Sequence, residues 1–133
     1  MIESRFLRLY QRELHRFKSA FESSEDVDIK LVDRVCPKGT SCSDRDYGYC
    51  TYGQGPLVIT YVRRILLLPE AKILGLLRHE LGHAFDPDIR HDGAEQRADD
   101  IAEWVTGERI RYDENDIQTV GRGKYPRPLY LHR

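Results

Sequence analysis

PEAKILGLLRHELGHAFD, residues 69–86, is the stretch on which the reading of this chain turns. Inside it stands His79-Glu80-Leu81-Gly82-His83. On an α-helix, residues i and i+4 share a face one turn apart, so His79 and His83 can aim both imidazoles at one metal ion. Glu80 is rotated about 100° from His79 and is no ligand, yet it can reach a water on that metal. Zn²⁺ draws the pKa of such a water down toward roughly 7, and a neighbouring carboxylate can take its proton and pass it on. Two ligands, one base and an open metal position describe a hydrolytic site. The competing reading is a chance match on a solvated helix, and the flanking residues speak against it. Pro69 suits the first turn of a helix, and Glu70 favours its N-terminal end. Ile73, Leu76, Leu77, Leu81 and Ala84 continue an apolar pattern at helical spacing, and Pro87 cannot extend it. The motif thus belongs to a largely buried helix, where histidines and a glutamate need partners and a metal supplies one.

The 133 residues allow one core and not two, so a single domain is expected over residues 1–133. A formal net charge of −1 gives no general drive toward nucleic acid or anionic membrane. No apolar run approaches the roughly 18 residues that span a bilayer. Arg5, Arg8, Arg12 and Arg16 interrupt the N-terminal stretch that a secretory signal would need, so a cytoplasmic protein is expected, with a monomer favoured. Cys36, Cys42 and Cys50 are odd in number and their spacings match no common zinc pattern. They read as ordinary thiols whose redox state the spacing does not fix.

Residues 2–22 place Ile2, Phe6, Leu9, Tyr10, Leu14, Phe17 and Phe21 on one helical face, with the four arginines as a basic stripe elsewhere. Packing across the sheet of its own domain is the expected use, ahead of a membrane-surface helix. Val27 to Val35 alternates as a half-buried strand, and residues 36–48 have loop composition. Tyr47 to Tyr52 and Leu57 to Ile65 predict two further strands, the second richer in β-branched residues. Gly75 and Gly82 each cost a helix about 1 kcal/mol relative to alanine, and close approach of another backbone would account for them. A second helix is predicted from about Asp92 to Val105, stopped by Gly107. Residues 106–133 are turn-rich and basic and read as an irregular tail. The expected architecture is α+β: an N-terminal helix, a small mixed sheet of about three strands, the His-Glu-x-x-His helix and a second ligand-bearing helix.

Two histidines leave a zinc short of ligands. The metzincin continuation fails, because position 86 is Asp where Gly is required and position 89 is Ile where the third His is required. His91 falls at the wrong offset. Glu95, Asp99, Asp100 and Glu103 on the second helix are the better candidates.

Glu95-Gln96-Arg97-Ala98-Asp99 resembles the Glu-x-x-Ala/Ser-Asp segment that follows the zinc helix in gluzincin metallopeptidases. Residues 58–106 are also similar to the minimal gluzincins and to ImmA/IrrE-type small peptidases. The resemblance implies a zincin-like fold, one catalytic Zn²⁺ held by His79, His83 and Glu95, and Asp99 as hydrogen-bond partner of a zinc-binding histidine, His79 for preference. The i, i+4 spacing of Glu95 and Asp99 is compatible with that, since a metal-bound His normally gives its other N–H to a carboxylate. Asp100 and Glu103 then read as a solvated face, and Ala98, Ile101 and Ala102 as packing residues. The interval from His83 to Glu95, 12 residues, is shorter than in the large gluzincins, and a counterpart of the extra C-terminal domain that supplies their transition-state-stabilising side chain is not expected. Tyr112, Tyr125, Tyr130 and His132 are candidates for that role.

The expected function is zinc-dependent hydrolysis of peptide bonds in a peptide or protein substrate, with Glu80 as general base and then general acid. An extended substrate would lie along an edge strand, either Leu57 to Ile65 or Tyr47 to Tyr52. One alternative is a catalytically silent zincin-like zinc-binding module acting through protein–protein interaction. Another is a peptide deformylase-like amidase with an upstream cysteine, Cys50, as third ligand, although the residues around Cys50 do not resemble that family's motif.

Overall fold

The protein is described by a computed structural model over residues 2–33, 48–51, 57–88, 93–110 and 127–131. Helix α1 (Ile2–Ala20) is followed by strands β1 (Val27–Val32), β2 (Gly48–Thr51) and β3 (Leu57–Val62). A 3₁₀ turn (Arg63–Leu67) then leads into α2 (Glu70–Phe85), α3 (Ala94–Thr106) and a 3₁₀ turn at Leu129–Leu131. The architecture is α+β.

The sheet has three strands in the order β1-β3-β2. β1 runs parallel to β3, with Val27 opposite Leu57 and Val32 opposite Val62. β2 runs antiparallel to β3, with Gly48 opposite Tyr61 and Thr51 opposite Val58. β3 is therefore the central strand, which corrects its nomination as a substrate-binding edge. Its sequence explains the placement. Ile59, Thr60, Tyr61 and Val62 are all buried, a continuous run that suits a strand paired on both sides. β1 carries the alternation of a strand with one solvated face.

The strand expected to reach Ile65 ends at Val62, because Arg63 and Arg64 break the apolar run and the chain must turn toward Pro69. That 3₁₀ turn still buries Ile65 completely. β1 likewise stops at Val32, short of the expected Val35. The tail expected to be irregular from residue 106 contributes Thr106 to α3 and forms the turn at Leu129–Leu131.

The core joins α1, the sheet, α2 and α3 through Phe6, Tyr10, Phe17, Ile59, Tyr61, Leu77, Leu81 and Ile101. α1 meets the sheet as expected: Phe6 packs edge-on against Tyr61 at 5.6 Å, and the Tyr10 hydroxyl donates to the Val27 carbonyl at 2.5 Å. Its C-terminal half packs instead on the other helices. Phe17 and Phe21 lie against Phe85, and Phe21 meets Trp104 edge-on at 5.3 Å. Among the described residues no helix is long and apolar enough to cross a membrane. Cys36 and Cys42 lie outside the described residues.

Candidate metal centre

The carbonyl of Pro69 accepts the first helical bonds of α2, from Lys72 at 3.0 Å and Ile73 at 3.1 Å, so the proline is the cap residue just outside the helix. α2 ends at Asp86, whose backbone is extended ahead of Pro87. α3 starts after Gly93 and stops at Gly107, both in the left-handed region at φ 84° and 71° that glycine tolerates at no steric cost. Its first residue is Ala94; the expected start at Asp92 falls outside the described residues. The two helices pack directly on each other. Gly82 lies where they touch: a Cβ there would come within 2.2 Å of the Ala98 carbonyl oxygen. The close approach inferred for the α2 glycines is made at this position, by α3.

This contact brings the first two turns of α3 alongside the histidines. His79 Nε2 lies 2.9 Å from Glu95 Oε2, and His83 Nε2 lies 2.8 Å from Glu95 Oε1. The two Nε2 atoms are 3.1 Å apart, with the rings edge-to-face at 4.7 Å. On its other side, His79 Nδ1 is 2.7 Å from Asp99 Oδ1. His79, His83 and Glu95 thus form a group of potential ligand atoms within 4.8 Å of one another.

The chemistry of this donor set fits a divalent cation. When Asp99 accepts the Nδ1 proton, His79 turns an Nε2 lone pair inward. Facing it are the second imidazole and a carboxylate that, when ionised, can only accept. Such groups repel unless a proton or a cation stands between them. Tetrahedral zinc with bonds of about 2.0 Å to N and O sets its ligand atoms roughly 3.3 Å apart, so the observed spacings need widening by only a few tenths of an ångström.

Burial sets the charge states around these atoms. The Glu80 carboxyl is pushed up to about 7, chiefly by desolvation; the charge of His79 opposes the shift and that of Glu95 adds to it. For His79, burial is the largest influence and disfavours the imidazolium. The Asp99 hydrogen bond and the charges of Glu80, Asp99 and Glu95 together outweigh it, and its pKa rises. His83 is lowered, first by burial and then by the charge of His79.

Other candidates are placed elsewhere. Asp100 accepts from Gln96 Nε2 at 2.9 Å, and Glu103 accepts from the backbone N–H of Ile110. Both are half-buried, and burial raises the Glu103 carboxyl. The Tyr130 hydroxyl donates to the Arg97 carbonyl at 3.2 Å, and burial, followed by the charge of Asp100, pushes it up to about 12. His91, Tyr112, Tyr125 and His132 lie outside the described residues. Cys50 stands in β2 opposite Ile59. Two buried ion pairs flank the site without having been singled out in the sequence: Asp86 with Arg97, and Glu13 with Arg78. Glu13 was findable, because it lies four residues from both Leu9 and Phe17 on the buried face of α1.

Comparisons with protein-family models, curated proteins and solved structures gave no match to this chain.

Proposed function

We propose that this chain is a zincin-like, zinc-dependent metallopeptidase, with His79, His83 and Glu95 as metal ligands and Glu80 as the proton-transfer group. The observation that carries the reading is the convergence of the two Nε2 atoms and the Glu95 carboxylate, from two helices, at separations of 2.8–3.1 Å. The 2.7 Å contact of Asp99 supports it, since a carboxylate behind a ligating imidazole fixes the tautomer and raises its basicity. A zinc ion bound there supplies Lewis acidity, acidifying water and polarising a carbonyl.

Glu80 has the properties of a group that both takes and gives a proton. With a pKa of about 7 it is divided between its two forms at neutral pH, where general acid–base catalysis is most effective. It accepts a proton from the attacking water and returns it to the leaving nitrogen. The water oxygen ends on the acyl carbon, and the C–N bond breaks. β2 pairs with β3 on one side only among the described strands and contacts α2, the helix that carries His79 and His83, which makes its free edge the candidate place for an extended peptide.

Elemental analysis alongside a peptide-cleavage assay tests the proposal. The native chain is expected to hold one zinc, Glu95→Ala none, and Asp99→Ala to bind about 10–100-fold more weakly. Glu80→Gln is expected to keep its zinc and lose about 10²–10⁴-fold in cleavage rate. Cleavage by Glu80→Gln at the native rate would remove the proton-transfer assignment. Zinc retained by Glu95→Ala would move the third ligand elsewhere.

A further inference from the structure

Glu95 has a side chain that is 79% exposed, so packing does little to hold it. Its position is set by the backbone of the first turn of α3, after a loop that starts at the end of α2. Two residues on, Arg97 turns into the protein. Its Nε donates to Asp86 Oδ2 at 2.8 Å and an Nη donates to Asp86 Oδ1, a forked pair with both side chains buried. Asp86 also accepts from the Asp88 backbone N–H at 2.9 Å. Burial alone would raise the Asp86 carboxyl, but the Arg97 hydrogen bonds and charge and the Asp88 N–H hold it below the usual carboxylate range. The outer face of the guanidinium is covered by the Tyr130 ring at 3.8 Å, and the Tyr130 hydroxyl returns to the Arg97 carbonyl.

We propose that Arg97, clamped between Asp86 and Tyr130, is the positioning residue that holds Glu95 in register with His79 and His83, and that it couples residues 127–131 to metal retention. The inference rests on the metal site proposed above. The Gly82–Ala98 contact and the buried Ile101 and Ala102 seat α3 against α2 from Ala98 onward, whereas Glu95 lies one turn before that packing, on an exposed face. The planar fork of Arg97 onto Asp86 ties this first turn to the end of α2, because both of its bonds require one orientation of the guanidinium. Ligand atoms tolerate only small errors in placement, so a loosened first turn costs affinity without touching a ligand.

Zinc affinity of the full chain, measured by competition with a chromogenic chelator, is compared with urea unfolding of the metal-free protein. Arg97→Lys keeps the charge but loses the fork, and is expected to weaken zinc about tenfold. Tyr130→Ala removes the cover from a partly exposed position and is expected to weaken it about threefold. Leu9→Ala, in the core of α1, should lower the unfolding midpoint while the folded protein keeps its native affinity. Native affinity in both Arg97→Lys and Tyr130→Ala would overturn the inference, as would an equal loss in Leu9→Ala. A native chain that takes up no zinc would instead remove the site itself, and the inference with it.

Discussion

The Glu80 carboxyl shares its surroundings with His79 and Glu95, and its desolvation outweighs the attraction of the imidazole, which leaves it with a pKa of about 7 against 4.5 in an unfolded chain. Folded protein therefore holds a proton at Glu80 through a pH range in which unfolded protein has released it. The stabilisation that this brings is complete below about pH 4.5 and is lost as the pH rises through about 7. The raised pKa of His79 acts in the same direction, and the lowered pKa of His83 acts against it. Comparing metal-free native protein with Glu80→Gln reads the carboxyl together with its charge coupling to His79. Between about pH 5 and about pH 8, the native chain should lose roughly 2.5 kcal/mol relative to the variant in urea unfolding. A difference that stays flat with pH would mean that the carboxyl is solvated in the folded protein.

At the level of elements, the site depends on how two helices meet, and Gly82 is where that is decided. Glycine costs α2 about 1 kcal/mol in helix propensity, so Gly82→Ala would stabilise an isolated helix. In this protein the added methyl would lie 2.2 Å from a backbone carbonyl of α3 that cannot swing aside. A net loss of about 1–3 kcal/mol is expected, read as a lower unfolding midpoint; a gain would show that the helices are not in contact there. The α2 helix and its neighbour were legible in the sequence because apolar residues recur at helical spacing and glycine closes α3. A glycine at position 82 of an otherwise good helix also announced a close neighbour. The strand order was not legible. The β-branched run of Leu57 to Val62 states that the strand is well covered, but which strands flank it is a long-range property, and of the two stretches nominated as an edge only Tyr47 to Tyr52, as β2, lies at one among the described strands. The Asp86–Arg97 pair was equally hidden. Asp86 entered the sequence argument only as the wrong residue for a metzincin, and its partner is brought to it when α3 folds back.

Across the whole molecule, the motif helix is tied to the N-terminal helix by a charge cluster. Arg78, which immediately precedes the first motif histidine, donates to Glu13 Oε1 through Nη at 2.8 Å and Nε at 3.3 Å, and to Glu108 at 2.9 Å. Arg16 bonds Glu13 at 3.3 Å and the Thr106 carbonyl at 3.2 Å, so α1, α2 and the end of α3 share one network. Glu13 is fully buried and the Arg78 side chain is 9% exposed. Desolvating both charges costs several kcal/mol each, and their attraction offsets most of that rather than adding a large net gain. Removing one partner is then far worse than removing both. Glu13→Ala, which leaves the buried guanidinium only the largely exposed Glu108 as counter-charge, should cost about 3 kcal/mol in urea unfolding. Glu13→Leu combined with Arg78→Met should lie near the native stability, because no buried charge is left and Glu108 is already largely exposed. The single substitutions would then be strongly non-additive with the pair. Additive costs would show instead that Arg78 and Glu13 contribute independently, and that α1 is held to the motif helix by its apolar face alone.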